Sequence, residues 1–571
     1  MPSTPSAGTV RVAAAQFFSG TDVRENLALC RGFLRRAAGE GARLVVLPEN
    51  SNRVRDYADR RECWERGEDL SGPFVTGLRE TAAELGLHVA AGVDLRGDAE
   101  PIVHIASVLI GPDGGIVGVH RKHVLWDYEY TLFEPGEEPY QVFDTALGPI
   151  GLLLCADGIV PETPRALALL GARILCNSLN SRGPDELRVH VPLRAMENRV
   201  FHVAANTVGG PELEWPWMGG SQIVAPDGTR LAEASELEPD LAVADIDPSE
   251  AGDKRMPGVA DLVAWRRPEL YGALTLPLDQ VPAAAMYGPA PRDLPSRPLP
   301  TALMQVSHFR GTEWTIRRAL GQIAYAGRRG ARLGVLPELF CFADGEAAAD
   351  PGAAADLSRE VLDRVSKACA EAGLYVAASL VERGAGGRFH STVHLVDDTG
   401  AVVHAYRKTH LTDAERAWAS PGDEITVART PIGAIGAMVG DEVWVPEVAR
   451  VLALEGAELI VHPTSWTSRA AMEIAATERT EENRVHLVSV TRLDCPAGLG
   501  SQALRPDDFA PGQPIAVMRY PTGYWTRPGF EEQLLLDLDL REANDKMMGH
   551  HLDPLAKRTP HLYPMFVSEK G

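Results

Sequence analysis

The 571-residue chain is poor in cysteine and in basic residues. Its seven cysteines are widely spaced and form no CxxC pair, which argues against a disulfide framework or a zinc ribbon and is typical of a reducing cytoplasm. Lysine and arginine number 56 against 78 aspartates and glutamates, which gives a formal net charge of -22. A chain this acidic is a poor candidate for binding nucleic acid or an anionic membrane.

The sequence also has no long apolar run and no recognisable leader. None of its apolar segments approaches the ~18 residues that a bilayer-spanning helix needs. The first ten residues, MPSTPSAGTV, contain neither a basic stretch nor an apolar one, so we expect no secretory signal. The composition, 45% apolar and 23% charged, is that of a globular protein. These features predict a cytoplasmic protein of roughly two to four domains.

What the chain does have is an internal repeat. GARLVVLPE at 41–49 returns as GARLGVLPE at 330–338, and VHRKHVL at 119–125 returns as AYRKTHL at 405–411. Further pairs follow in the same order, CADGIVPETPR at 155–165 with GDEVWVPEVAR at 440–450 and RAMENRVFHV at 194–203 with RTEENRVHLV at 479–488. Chance does not produce this many ordered matches, so we interpret the chain as a tandem duplication.

A proline-rich segment at residues 276–300 separates the two copies. It contains seven prolines in 25 residues. Proline restricts φ and favours extended backbone, so this segment is predicted to be a semi-rigid surface linker. The predicted domains are therefore residues 1–275 and 301–571.

Each copy alternates short apolar segments with helical ones, which predicts an α/β fold with mixed strand pairing. In the first copy, helices are expected at 161–171 and 185–199, and Thr21 is the expected N-cap of an earlier helix. The sequence ASVLIGPDGGIVGVHRK is typical of a β-hairpin. The expected buried strands are RVAAAQF, LVVLPE, IGLLLC, ARILCNS and FHVAANT.

Three reactive side chains follow predicted strands, namely Glu49, Lys122 and Cys155. Side chains at strand ends of an α/β sheet converge on one crevice. There a carboxylate takes the thiol proton as general base, while an ammonium and the backbone N–H of Ala156 stabilise an oxyanion. Each residue alone has an ordinary structural explanation. Because the carboxylate and the ammonium recur in the second copy, the sequence favours one shared site.

Four motifs follow one another in the first copy, namely LPE, RKxH, the glutamate four residues before Phe133, and CxDxxxPExxR. Together they strongly resemble the motifs of the nitrilase (carbon–nitrogen hydrolase) superfamily. The resemblance covers nearly all of residues 10–275 and, more weakly, 301–565. It implies a four-layer αββα sandwich. It also implies a catalytic triad with a second, substrate-positioning glutamate, and these map onto Glu49, Lys122, Cys155 and Glu129.

The resemblance also implies a reaction. In this superfamily a thiolate attacks a nitrile, amide or carbamoyl carbon, ammonia or an amine leaves, and water hydrolyses the thioester. No metal or organic cofactor is implied, and the expected partner is a small-molecule substrate. The Cys-x-Asp pattern of CADG resembles the motif of amidase-like branches more than the Cys-Trp-Glu motif of true nitrilases. We therefore expect hydrolysis of a small amide or N-carbamoyl compound.

The second copy departs from the family pattern at its nucleophile. Aligning PExxR of the two copies places Gly440 opposite Cys155, although Glu338, Lys408 and Glu415 remain. Glycine offers no sulfur, so this copy is predicted to be a pseudoenzyme domain. Domains of this superfamily commonly pair through one face, so the copies are expected to form an intramolecular pseudo-dimer in which the second copy is a scaffold. The alternative is that its vacant pocket binds a ligand and regulates the first.

Several other residues are candidates to contact the substrate. Trp126 and Tyr128 are expected at the pocket mouth, and Arg182 is suited to bind a substrate carboxylate, although solvated loops and surface ion pairs are the ordinary roles of such residues. Trp215 and Trp217 are candidates to cover the pocket or a domain contact.

Two alternative functions remain open at this stage. One is acyl transfer, in which an amine rather than water takes the thioester. The other is a non-enzymatic small-molecule sensor or scaffold, which the intact triad in the first copy argues against. Further association of whole chains also remains open.

Overall fold

The computed structural model describes residues 8–209, 218–288, 293–506, 521–548 and 551–568. These residues form two compact units. The first contains Met1–Arg255 and Met547–Gly571, and the second contains Met256–Gly512 and Tyr520–Lys546, as far as each is described. Among the described residues, none of the helices combines the length and apolarity needed to cross a membrane.

The first segment of the first unit ends at Arg255, whereas the sequence predicts a domain boundary at residue 275. The segment after residue 255 packs in the second unit, where the indole N–H of the buried Trp265 donates to the carbonyl oxygen of Leu411 at 2.7 Å. The C-terminal segment packs in the first unit, where the ring of Tyr563 stacks on that of Tyr140 with 6.4 Å between centroids. Buried aromatic anchors, which composition does not reveal, therefore set the boundaries.

The predicted linker lies mostly at the surface of the second unit over the part that the structure describes, with a few buried residues. Residues 278–280 and 282–286 form 3-10 turns in the second unit, and Val281 and Ala283 are buried. Residues 289–292 lie outside the described residues.

Two six-stranded sheets form the centre of the first unit. In spatial order the first sheet contains β12 (Asp240–Ile246), β1 (Val10–Gln16), β2 (Leu44–Val46), β3 (His88–Arg96), β4 (Val103–Ile110) and β5 (Ile116–Arg121). The second contains β11 (Arg230–Glu233), β10 (Gln222–Val224), β9 (Phe201–Ala205), β8 (Ile174–Ser178), β7 (Ile150–Leu154) and β6 (Val142–Phe143). The strands β1–β2–β3 and β7–β8–β9 pair in parallel and the others antiparallel, which confirms the expected mixed pairing.

The second unit repeats this strand order. The two-residue strands β13 (Arg255–Met256) and β14 (Ala260–Asp261) pair with each other between the repeats. One sheet contains β26 (Gln533–Asp539), β15 (Pro298–Met304), β16 (Leu333–Val335), β17 (Tyr375–Arg383), β18 (Phe389–Val396) and β19 (Val402–Arg407). The other contains β25 (Thr522–Trp525), β24 (Gln502–Arg505), β23 (His486–Thr491), β22 (Leu459–Thr464), β21 (Gly433–Ala437) and β20 (Ala428–Thr430).

Helices cover the outer faces of the sheets, so each unit is the expected four-layer αββα sandwich. The helices of the first unit are α1 (Val23–Gly39), α2 (Arg60–Arg66), α3 (Pro73–Leu85), α4 (Glu129–Leu132), α5 (Glu162–Leu169) and α6 (Val191–Asn198). Those of the second are α7 (Thr312–Arg328), α8 (Glu346–Ala349), α9 (Pro351–Ala372), α10 (Pro446–Leu454) and α11 (Ala476–Asn483).

The alternation of side chains along each strand builds two apolar layers. On β1, Val12 and Ala14 pack between the two sheets, whereas Ala13 and Ala15 pack under α1 and α3. Strands buried on both faces explain why the sequence shows continuous apolar runs instead of alternation.

The predicted helices at 161–171 and 185–199 are present as α5 and as a π-helical turn followed by α6. The predicted cap Thr21 is wrong. Asp22 caps α1, and its carboxylate accepts from the N–H groups of Arg24 and Glu25. A carboxylate at a helix N-terminus also interacts favourably with the helix dipole, which a hydroxyl does not match.

Candidate active site

The site of the first unit centres on the ammonium of Lys122, which follows β5. Its Nζ lies 2.8 Å from Oε1 of Glu49, in the loop after β2, and 2.8 Å from Oε2 of Glu129, at the start of α4. All three side chains are buried. Burial opposes the charge of Lys122, but the two carboxylates outweigh it and hold the lysine pKa above its ordinary value. The structure therefore brings together three of the four predicted catalytic groups as a charged cluster.

Cys155 begins a sharp turn at the end of β7 and faces this cluster. Its φ of 43° lies in the left-handed region, which a non-glycine residue adopts only at a cost and which is frequent at functional sites. Its N–H donates to Oδ1 of Asn177 on β8 at 3.1 Å, which fixes the turn to the neighbouring strand. Burial raises the pKa of the Cys155 thiol, and Lys122 is the main group that lowers it. The resting thiol is therefore protonated.

Asp157 holds the nucleophile turn in place. Its Oδ1 accepts from the backbone N–H groups of His123 and Val124 at 3.0 and 2.9 Å, and its Oδ2 lies 2.8 Å from Nε2 of His120. Burial acts to raise the pKa of Asp157, but the partner His120 outweighs it and the pKa is lowered. The turn that carries Cys155 is thereby connected to the segment that carries Lys122.

The predicted substrate contacts lie around this cluster at different depths. Ala156 is fully buried in an apolar cluster against which Trp126 packs, and the N–H of Trp126 donates to Glu129 at 2.8 Å. Tyr128 is 38% exposed, and it interacts electrostatically with the half-buried Arg182. Tyr128 and Arg182 are therefore at the rim of the site. Trp215 and Trp217, the candidates to cover the pocket or a domain contact, lie outside the described residues.

Sequence reasoning missed Arg55, which joins the two carboxylates on their other side. Its guanidinium donates to Oε2 of Glu49 at 2.6 Å and to Oε1 of Glu129, and its Nε donates to Oδ1 of Asn50 at 2.7 Å. Burial acts to raise the pKa of Glu129, but Arg55 and then Lys122 outweigh it and lower the pKa. The arginine is 4% exposed, so it belongs to the buried cluster.

The second unit has a similar lysine and two glutamates, with a glycine at the position of Cys155. Lys408 lies 2.6 Å from Glu415 and 3.5 Å from Glu338, and Gly440 has a φ of 54°, close to that of Cys155. A Cβ added to Gly440 would lie 2.9 Å from Glu338 Oε2 and 3.1 Å from Lys408 Nζ. The carboxylate and the ammonium thus occupy the space that a side chain at this position would need.

A comparison of the two copies of the sequence indicates Arg55 as a candidate site residue. Counted without a gap from Glu49 and Glu338, Arg55 corresponds to Asp344, and extending the strand registers makes Asp94 correspond to Val381. An arginine six residues after a glutamate, in a polar loop, looks like a solvated residue when one copy is considered alone. Arg55 becomes a candidate because the copy with a glycine in place of the cysteine has an aspartate at this loop position.

Comparisons with known proteins show the family of this chain. The family profile of carbon-nitrogen hydrolases matches residues 11–256 and 301–507. The chain is 33% identical over 249 residues to a nitrilase of Pyrococcus abyssi, a match that covers 43% of this chain and 93% of that protein. It is 32% identical over 292 residues to a deaminated glutathione amidase of Homo sapiens, covering 48% of this chain and 88% of that protein.

Two further comparisons extend the set. An N-carbamoylputrescine amidase of Solanum lycopersicum is 30% identical over 294 residues, covering 46% of this chain and 94% of that protein. The solved structure of a Nesterenkonia amidase variant from the nitrilase superfamily aligns with a TM-score of 0.40 at 26% identity, covering 44% of this chain and 95% of that one. The two regions that the family profile matches lie one in each copy. This chain belongs to the carbon–nitrogen hydrolase family as an enzyme with two family domains.

Proposed function

We propose that the first unit hydrolyses a small amide or N-carbamoyl compound through a thioester on Cys155. The observation that carries this proposal is the placement of a buried thiol against Lys122, Glu49 and Glu129, while the equivalent position in the other copy is Gly440. The second unit, which lacks the thiol, then has a structural or regulatory role.

The first half of the reaction forms the thioester. Glu49 takes the proton of the Cys155 thiol, and the sulfur attacks the carbonyl carbon of the substrate. The carbonyl oxygen becomes an oxyanion, which the ammonium of Lys122 and the N–H of Ala156 stabilise. Glu49 gives its proton to the departing nitrogen, the C–N bond breaks, and ammonia or an amine leaves.

The second half releases the acid. Glu49 takes a proton from a water molecule, and the resulting hydroxide attacks the thioester carbon. Collapse of the second oxyanion breaks the C–S bond, and the sulfur recovers the proton from Glu49. The carboxylic acid leaves, so the net change is the addition of one water across the C–N bond.

The environment of the thiol suits this order of events. Cys155 is 8% exposed, and burial keeps its pKa high, so the free enzyme holds a thiol and not a reactive thiolate. Proton transfer to Glu49 then takes place with the substrate bound. Glu129 is held by Lys122, Arg55 and the N–H of Trp126, which makes it a fixed acceptor suited to orient the NH₂ group of an amide.

Amides and N-carbamoyl compounds are the preferred class on two grounds. Two of the three relatives described above, the deaminated glutathione amidase and the N-carbamoylputrescine amidase, are named for such compounds, and one is named a nitrilase. The buried carboxylates also offer acceptors for the N–H groups that amides and ureas carry and nitriles lack.

Ammonia release over a panel of substrates tests this proposal. Primary amides, N-carbamoyl amino acids and nitriles are compared by ammonia release, and acyl hydrazides by release of hydrazine, with the Cys155→Ala variant as the blank. We expect turnover above the blank with members of the first two classes. Turnover of nitriles alone, or release that equals the blank with every class, would count against the assigned substrate class.

A further inference from the structure

We propose that Arg55 is the positioning residue that holds Glu49 and Glu129 in their working geometry. This inference rests on the proposed function, because it concerns the carboxylates that the proposed reaction uses. Arg55 is not assigned any contact with the substrate.

The geometry that carries the inference is a closed ring of four alternating charges. Lys122 binds Oε1 of Glu49 and Oε2 of Glu129, each at 2.8 Å. Arg55 binds the remaining oxygens, Oε2 of Glu49 at 2.6 Å and Oε1 of Glu129. Each carboxylate therefore has one oxygen on each cation, and neither carboxylate rotates without breaking a charge-assisted hydrogen bond.

The charge balance of the ring depends on this arginine. Lys122 alone between two buried glutamates leaves one negative charge without compensation, and an uncompensated buried charge is costly. Arg55 brings the formal charge of the four groups to zero. A guanidinium is suited to this position because its planar fork donates to both carboxylates and, through Nε, to Asn50 at the same time.

Arg55 is itself held from behind. Asn50, which has a φ of 59°, accepts from Arg55 through Oδ1 and donates through Nδ2 to Oδ1 of Asp94 at 2.5 Å. The other oxygen of Asp94 accepts from the hydroxyl of Tyr57 at 2.8 Å. A chain of buried hydrogen bonds that fixes one side chain is what a positioning role requires.

The second unit shows what the cluster looks like without this support. Leu339 stands where the first unit has Asn50, and Asp344 stands where it has Arg55. Lys408 remains close to Glu415, but its distance to Glu338 is 3.5 Å instead of 2.8 Å. Burial raises the pKa of Glu338 to about 7. The arginine that interacts with Glu338 is Arg492, which follows β23, and this copy holds its first glutamate more loosely.

Removal of Arg55 has a defined effect on the pH dependence of the reaction. The charged and titratable groups that face Glu49 and Glu129 are Lys122, Arg55, Cys155, Asp94, Tyr128 and Tyr130. Arg55 is the main group that lowers the pKa of Glu129, so loss of the guanidinium raises that pKa. Glu129 then stays protonated, and no longer accepts from Lys122 and the substrate as a carboxylate, up to a higher pH. The acid limb of the pH profile therefore moves toward alkaline pH.

The test is the pH profile of kcat/KM for Arg55→Met and Arg55→Lys in the full chain. We expect Arg55→Met to lose about 10- to 100-fold in kcat/KM at pH 7, mostly in kcat, with its acid limb at least about one pH unit higher. Arg55→Lys should return the acid limb toward the parent value, because it restores the charge, while kcat stays reduced. Arg53→Met is the matched control, because Arg53 lies in the same loop and pairs with Asp56.

The outcomes separate this inference from the proposed function. An unmoved acid limb in a folded Arg55→Met enzyme overturns the positioning role. If Arg55→Met does not fold, Arg55→Lys decides, and a kcat equal to the parent value overturns the role. Full activity of Cys155→Ala would instead overturn the proposed function on which the inference rests.

Discussion

Cys155→Ala should reduce the release of ammonia by at least about 1,000-fold, to the level of the uncatalysed reaction. Alanine removes the sulfur that forms the thioester and leaves Lys122, Glu49 and Glu129 in place. The remaining oxyanion donors have no tetrahedral intermediate to stabilise. Steady-state kcat, with the melting temperature measured on the same sample, checks this result.

Cys176→Ala is the control for this prediction. Cys176 is also fully buried and lies on β8, but its side chain packs between the two sheets of the first unit. The substitution leaves a small cavity and a modest loss of stability, with kcat unchanged. A Cys155→Ala enzyme that keeps more than a tenth of the parent kcat would show that another group is the nucleophile.

Lys122→Met should reduce kcat by about 100- to 1,000-fold, the range typical for loss of one oxyanion donor. Methionine keeps most of the volume of the side chain but removes the charge that stabilises both the thiolate and the oxyanion. It also leaves Glu49 and Glu129 facing each other with Arg55 as their remaining cation. We therefore expect a lower melting temperature as well.

The chain contains its own control for that loss of stability. Lys408→Met removes a buried lysine that likewise contacts two glutamates, Glu338 and Glu415. Both variants should lose stability, but only Lys122→Met should lose the chemistry. An equal loss of kcat in a folded Lys408→Met protein would contradict the assignment of catalysis to the first unit.

Much of this fold was accessible from the sequence because the repeat shows the same pattern twice. The apolar runs before Glu49 and Cys155 are buried strands, as expected, but they lie in different sheets of the first unit. The packing of the two sheets against each other, which no local pattern encodes, brings the glutamate, lysine and cysteine positions together.

Other features depend on contacts that no local pattern encodes. Buried rings such as Trp265 place the segment after residue 255 in the second unit. The hydrogen-bond partner of Trp265, the carbonyl oxygen of Leu411, lies 146 positions away along the chain. Arg55 reaches Glu129 from a loop 74 positions earlier. Both residues look like ordinary members of polar segments in the sequence, and only their tertiary partners show what they do.

The central claim is that one sulfur, in one of two similar units, carries the acyl group. The most direct test is peptide mass spectrometry after acid quenching of the enzyme during turnover of a slow amide substrate. We expect an acyl group on the peptide that contains Cys155. We expect Cys341, Cys369 and Cys495 to be unmodified. An acyl group on a peptide from residues 301–571, with Cys155 unmodified, would contradict it.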